Sequence, residues 1–594
     1  MTILAGIVSR SASVTIPDGI CEDLARIISR SDVDKVYESR GPSWYMAKVD
    51  IGAYGAPAVC ESNSSISMLA GDPLLMGTSH TAPHCRSHDL EIIDNDLSTD
   101  NTAALIDATG TFCGAHYDKT VGRITLYTDK VGLRPIYYWF NDDYIVFGSA
   151  LRILEGISLV PKLFDIKGVA EIASFGFPLA DRTPYANIFT LRAAELVQVC
   201  GAVISHRYYW RWDTITAPQL NGVSIEDEAG ERFLSAVKRR LSGDISTAAF
   251  LSGGLDSRTI VAALRALGTT VHTINFSPEH TQDEVFGRTV ASLLQTSHHH
   301  LIKQPESVVR KDQVYNQDEV NRWFDAQTET NPDSGLRRIM WSGDGGSVAV
   351  GHVYLTDRII DLAQKGQTEK ATTEFLFHNK IRAAKSVFKS SIRTKMTSIP
   401  ETGVGDELSL LECKDLGRAF HLFLMLNDQR RHLAGFYENI DLGRLEFHLP
   451  FFDSHFLALI LSSPITPFLR HQFYLSWLNV AFPKAVSVPW QAYPGHVPCP
   501  LPAPANLRYQ WSTYYSRVTE DHMRRDTLAK AARLFESTNF PKGIIDRKRL
   551  RLATWLTQLR VGNYSYMIES ADTFARYWDV CVQAKNYAPA AVAS

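Results

Sequence analysis

Paired cysteines, net charge and long apolar runs are all scarce in this sequence. Its eight cysteines, at 21, 60, 85, 113, 200, 413, 499 and 581 of 594 residues, include no CxxC pair. That argues against a zinc site or a disulfide scaffold and fits reduced thiols in a cytoplasm. Lys and Arg (61) nearly balance Asp and Glu (64), so the formal charge of -3 exerts no broad pull on nucleic acid or anionic membrane. No apolar run is long enough to span a bilayer, so membrane insertion is not expected; His455 to Ser462 has the length of a buried-core segment. The start, Met1-Thr2-Ile3-Leu4-Ala5-Gly6-Ile7, lacks the basic region of a signal peptide and reads as a buried strand. The 45% apolar and 21% charged content is that of a soluble globular chain, and its length calls for two or more domains.

Against this plain background one hexapeptide stands out, Ser252-Gly253-Gly254-Leu255-Asp256-Ser257. It follows the apolar run Ser246 to Leu251 and precedes the helix-like run Arg258 to Leu267. A strand, a glycine turn and a helix N-terminus in that order converge backbone N–H groups on an anion. Ser252 and Ser257 add hydroxyl donors, and Asp256 can bring magnesium to the same phosphates. No Lys follows the glycines, which excludes the GxxxxGK[ST] loop. The plain alternative, an ordinary Ser/Gly turn, leaves the placed Asp and second Ser unexplained. The hexapeptide resembles the pyrophosphate loop of ATP pyrophosphatases, a family that cleaves ATP between its α and β phosphates, and so implies adenylation of a carboxylate.

From residue 1 to about 212 the pattern is short strands broken by Gly, Pro, Asn and Asp. Gly110-Thr111-Phe112, Asp118, Asp129-Lys130-Val131-Gly132-Leu133-Arg134-Pro135-Ile136-Tyr137-Tyr138 and Phe147-Gly148-Ser149-Ala150-Leu151 together resemble class II glutamine amidotransferase domains. Those domains begin with a nucleophilic Cys in Cys-Gly-Ile. The matching triplet here is Ala5-Gly6-Ile7, and Thr2 lies three residues away from the matching position. The family's Asn-Gly-Glu-Ile-Tyr-Asn stretch is replaced by Met68-Leu69-Ala70-Gly71-Asp72-Pro73. The expectation is a domain that keeps the fold and lacks the hydrolase, with Cys60, Cys85 and Cys113 as buried apolar residues.

After a linker at 217–222, a helix from Glu226 to Leu241 and the strand Val271 to Phe276 complete a β–loop–α–β–α alternation. A parallel sheet with its ligand at the carboxyl ends of the strands follows. Met340 to Tyr354 resembles the nucleotide-closing loop of asparagine synthetases. Ser342 and Gly343 match that family's nucleotide-contacting pair, and Leu251 and Ile274 its adenine-lining residues. The family's Asp-Glu pair stands here as Ser347-Val348, leaving Asp344 either to take over the metal role beside Asp256 or simply to form a turn. Glu446 to Asp453 matches the family's Glu-x-Arg-x-Pro-Phe-Leu-Asp, with His448 for the Arg. The resemblance makes Glu446 the base that assists amine deprotonation, unless it only caps the next helix. Arg430-Arg431 reads either as a clamp for phosphate or a peptide carboxylate, or as a solvated pair.

The stretch Pro489-Trp490-Gln491-Ala492-Tyr493-Pro494-Gly495-His496 departs from asparagine synthetases, with no Lys between 485 and 500. It is similar to lasso peptide cyclases, the asparagine synthetase homologues that close a macrolactam on a ribosomal peptide; Gly435 to Asp453 adds to this likeness. Trp490, Tyr493 and His496 then form a lid or touch substrate, with His496 a stand-in for the missing cation, the alternative being a proline-rich connector. Residues 505 to 585 read as helices, and the tail Tyr587 to Ser594 as disordered.

The expected fold class is α/β. Residues 1–212 form degenerate, Ntn-type glutamine amidotransferase-like α/β layers without the nucleophile. Residues 213–594 form an ATP pyrophosphatase-type parallel-sheet synthetase domain with extra helices. The resemblance implies ATP and Mg2+, a ribosomal precursor peptide as substrate, and a leader-binding protein and a leader peptidase as partners, in the cytoplasm. Another amide-forming synthetase, β-lactam synthetase-like or ammonia-dependent, remains the alternative, as does a nucleotide-binding scaffold.

Overall fold

The computed structural model describes residues 2–11, 13–77, 84–302, 317–330, 335–381, 385–509 and 517–584. The tail expected to be disordered, and residues 510–516 of the stretch expected to be helical, lie outside them.

Two six-stranded antiparallel sheets occupy the first third. In one, Thr2–Ser9 lies between Trp44–Asp50 and Tyr144–Gly148. In the other, Thr111–Asp118 lies between Ser65–Asp72 and Arg123–Thr128. Alternation along Thr2–Ser9 explains why the sheets stack. Leu4 and Val8 meet Ile66, Ala115 and Leu126 of the second sheet, while Ile3, Ala5 and Ile7 point to the opposite face. The opening heptapeptide is thus a buried strand, and Ala5 is 1% exposed. Of the three cysteines expected inside, Cys113 is buried and Cys60 is half-buried. Cys85 is exposed, because it immediately precedes the helix Arg86–Ser98 at the surface.

The synthetase region is built on a five-stranded parallel sheet, in the order Ser297–Ile302, Thr270–Ser277, Ser246–Phe250, Ile339–Trp341, Glu446–His448. Parallel neighbours need crossovers, which the helices Leu255–Ala266 and Gln282–Leu293 supply. The helix Ile225–Leu241 starts where Ser224 caps the Asp227 N–H, and its Ala229, Phe233 and Val237 face the core. Past the sheet, the helices Arg517–Glu536, Arg547–Gln558 and Ser565–Gln583 build a satellite core with Ile166–Phe175 from the first third.

The halves share one continuous core and several buried ion pairs. Arg30 grips Asp441 at 2.6 and 2.9 Å, and Arg152 reaches the same carboxylate at 3.2 Å. Arg192 holds Glu407 at 3.0 and 3.1 Å, and Arg134 pairs with Glu446. Among the described residues, no helix is long and apolar enough to cross a membrane.

Candidate active site

The hexapeptide connects the central strand to the helix Leu255–Ala266. Gly254 occupies the N-cap without a side-chain cap, which leaves the helix's first N–H groups to face outward. The loop is braced from within. Ser257 Oγ accepts from the Ser252 N–H (2.9 Å), Ser252 Oγ from the Gly254 N–H (3.2 Å), and Asp283 from the Gly253 N–H (2.6 Å). Glycine is required where the next loop crosses this one: a Cβ at Gly343 would lie 2.6 Å from the Ser257 nitrogen, well inside contact distance.

At the carboxyl ends of the strands opens a cleft of about 420 Å³. It gathers most of the residues singled out in the sequence: Leu251, Ser252, Asp256, Ser257, Ile274, Ser342, Gly343, Asp344 and Tyr493. Leu251 and Ile274 are buried apolar wall and the serines and carboxylates line the floor, a division suited to a nucleotide's base and phosphates. A second chamber of about 150 Å³ shares Ser252, Asp256, Ser347 and Tyr493 with the cleft and adds Gly254 and Trp490. Gly253 packs beneath this chamber against Gln491 and Asp283.

Asp256 accepts hydrogen bonds from the Ser347 N–H (3.1 Å) and hydroxyl (2.6 Å) and from the Tyr474 hydroxyl (2.7 Å). Burial, with the Asp344 charge adding to it, pushes the carboxyl up to about 6 in spite of those donors. Asp344 accepts from the Ser342 hydroxyl and has the His432 imidazole 3.7 Å away. With Ser342, Ser347 and the loop hydroxyls, the two carboxylates make an all-oxygen set of the kind magnesium takes, so the donor chemistry fits that ion. Asp283, the second residue of the helix Gln282–Leu293, adds a third carboxylate to the cleft wall.

The segment after Pro489 lies over the loop. The Gln491 N–H donates to the Gly253 carbonyl (3.1 Å), and Trp490 is 6% exposed. Arg258 fastens the two together. Its buried guanidinium donates to the carbonyls of Gly253 and Gly254 in the loop and of Ala485, Val488 and Pro489 in the covering segment, at 2.8 to 3.0 Å. Burial draws its pKa down to about 10, so it remains a cation directly beneath the phosphate loop.

Two sequence assignments do not fit this geometry. Glu446 is fully buried at the start of the edge strand, in register with Ile339, and it does not line the cleft. It pairs with Arg134 of the first domain, whose guanidinium lies 4.3 Å from the Tyr437 ring centre, so an arginine stands beside it where a substrate amine was expected. His496 is not a cation. Its Nδ1 lies 2.8 Å from Nδ1 of His471, and burial lowers the pKa of both rings, His471 to about 3. The pair pins the lid at a junction where Arg470 and His471 both have left-handed backbone (φ 57° and 62°). The Arg430-Arg431 pair, read as either clamp or solvated, is buried.

Comparison with known proteins places two segments of the chain in known families. Residues 228–331, which contain the phosphate loop, match the family described as Asparagine synthase. Residues 79–210 match the Glutamine amidotransferase domain. Over these segments the chain is similar to asparagine synthetases and to glutamine amidotransferase domains. It is similar to a putative glutamine-hydrolysing asparagine synthetase 2 of Methanocaldococcus jannaschii, 29% identical over 191 residues, covering 31% of this chain and 37% of that protein. It is also similar to the glutamine-hydrolysing asparagine synthetase 3 of Bacillus subtilis, 27% identical over 160 residues, covering 26% of this chain and 25% of the other. The chain thus spans between a quarter and two fifths of the length of these curated relatives. A solved glutamine phosphoribosylpyrophosphate amidotransferase from B. subtilis, complexed with ADP and GMP, is similar at 9% identity and a TM-score of 0.26, covering 52% of this chain and 92% of that one. By its own sheets and these two family matches, the chain is an α/β protein with glutamine amidotransferase-like layers followed by an asparagine synthase-type parallel sheet.

Proposed function

We propose that this asparagine synthetase homologue is an ATP-dependent lasso peptide cyclase. ATP would occupy the cleft with its phosphates on Ser252–Ser257, and Asp256 and Asp344 would hold Mg2+, which would supply positive charge against the phosphates. The precursor peptide's Asp or Glu side-chain carboxylate attacks the α-phosphate, giving an acyl-adenylate and pyrophosphate. The peptide's own N-terminal amine then attacks the acyl carbon and displaces AMP, closing an isopeptide ring. The observation that carries the reading is Ala5 in the buried first strand, which the sequence resemblance aligns with the amidotransferase nucleophile. Without ammonia made on site, the amine must come from the substrate or from solution. With Glu446 enclosed by Arg134, the proton-accepting role passes to His432, the imidazole that lines the cleft beside Asp344. The Pro489–Pro500 cover supports a site that excludes water from the adenylate. The free cysteines favour a cytoplasmic setting, and a leader-binding protein and a leader peptidase would complete the pathway.

A nucleotide-binding scaffold is the second reading, favoured by the Ser347 hydroxyl that occupies Asp256 where the family has a carboxylate. Incubation with Mg-ATP and leader-free core peptide separates the two. A cyclase yields product lighter by one water together with AMP and pyrophosphate, and His432→Ala slows ring closure while sparing pyrophosphate release. No nucleotide turnover in the presence of a peptide would leave the scaffold, and full activity in Asp256→Ala would remove the site.

A further inference from the structure

Arg430 and Arg431 are buried, at 3% and 8% exposure, and the reaction proposed above uses neither. Arg431 spends its charge on the carbonyls of Ala180 (3.1 Å) and Arg182 (3.2 Å). Arg430 donates to the Ala180 carbonyl (2.9 Å) and, among the described residues, pairs with no carboxylate. It borders a cavity between the two halves of the molecule, separate from the nucleotide cleft.

That cavity is mostly apolar, walled by Trp210 and Trp212 from the end of the first third and by Leu422, Phe423 and Leu426 from the second half. The tryptophan rings meet edge to face, 5.6 Å apart at 76°. Its charged lining does not balance. Glu407 is held by Arg192 at 3.0 and 3.1 Å, and Asp213 by Arg211 at 2.5 and 3.1 Å, so both carboxylates are already satisfied. Arg430 is the surplus cation. Burial, then the charges of Arg431 and Arg192, draw its pKa down to about 9, an effect that the Glu407 and Glu195 carboxylates only partly offset.

We infer that this cavity binds an organic monocarboxylate with an aromatic or branched aliphatic body, its carboxylate on Arg430 and its body between the tryptophans and Leu422. One guanidinium without a paired carboxylate matches one negative charge, and the mostly apolar wall suits an apolar body. At roughly 10–15 Å³ per water, a cavity of about 160 Å³ has room for roughly 11 to 16 waters, which sets the ligand at about that many non-hydrogen atoms. The wall it shares with the nucleotide cleft adds a second observation. Leu424–Gln429 is π-helical, a rare conformation concentrated at functional sites. Leu426 and Asn427 face the cavity, while Gln429 and, just beyond, His432 face the cleft.

The test is a titration of the full chain with 3-phenylpropionate, followed by tryptophan fluorescence, alongside the neutral 3-phenylpropan-1-ol. The inference expects saturable binding of the acid, with the alcohol and the Arg430→Gln variant each about tenfold weaker through loss of a charge-assisted hydrogen bond. Leu411→Trp, which adds bulk at the partly buried rim, is expected to abolish binding without touching Arg430 and serves if Arg430→Gln fails to fold. N-acetyl-glycyl-phenylalanine separates the sources of such a carboxylate. Its competition with the acid supports a peptide C-terminus as ligand, and its failure to compete supports a small free acid. No saturable binding of the acid, equal binding of the alcohol, or unchanged binding in the folded variants would overturn the inference.

Discussion

Asp256 carries three hydrogen bonds and still holds a carboxyl shifted up to about 6, a conflict between hydrogen bonding and burial that burial wins. The sign has consequences for both stability and function. A carboxyl whose folded pKa exceeds its unfolded value of 3.8 contributes stability that is present below the unfolded value and is lost as pH rises through about 6. At pH 7 the ionised group therefore costs up to about 3 kcal/mol, the shift converted at ~1.4 kcal/mol per unit. Asp256→Asn is expected to raise the melting temperature at pH 7, to lose that advantage at pH 4, and to abolish pyrophosphate release. A thermal melt at the two pH values with a turnover assay checks all three. The sequence showed Asp256 because the hexapeptide is local. Tyr474, which holds it from 218 residues away, was invisible there because no local pattern links the two.

At the scale of elements, the phosphate loop and its cover behave as one piece because Arg258 sits under both. The sequence displayed the loop and the Pro489–Pro500 stretch separately, and it displayed Arg258 only as the first residue of an apolar helix run. Its role comes from five carbonyls brought together by tertiary folding, which no periodicity encodes. Arg258→Met is expected to loosen the cover. Proteolytic cleavage between residues 489 and 500 should quicken, and kcat/KM for ATP should fall about 10- to 100-fold, the loss of one to two charge-assisted hydrogen bonds' worth of positioning. An unchanged cleavage pattern with unchanged kcat/KM would show that the cover holds itself. The Glu446 motif taught the converse lesson. The residues were where the pattern placed them, but Arg134 arrives from 312 positions away and changes what the carboxylate can do.

Over the whole molecule, the parallel sheet, the stacked antiparallel layers and the strand at the start were all legible, because period-two alternation and the glycine loop are local signals. The seam between the halves was not, since it is made of charges such as Arg30, Arg134 and Arg192 that look like ordinary surface in the sequence. Arg134→Met is expected to cost about 3–5 kcal/mol, because a buried carboxylate is left without that guanidinium. Pairing it with Glu446→Leu is expected to recover much of the loss. Melting temperatures of the two single variants and the double variant form the cycle that measures the pair.

That seam gives the first domain an occupation that does not depend on hydrolysis. Ala5 itself, buried in the first strand, takes no part in the seam's ion pairs. The rest of the domain is another matter, because Glu446, Asp441 and Glu407 all depend on arginines contributed from across the seam. Evolution can retire the chemistry of such a domain in a single step, and it cannot then evict the tenant.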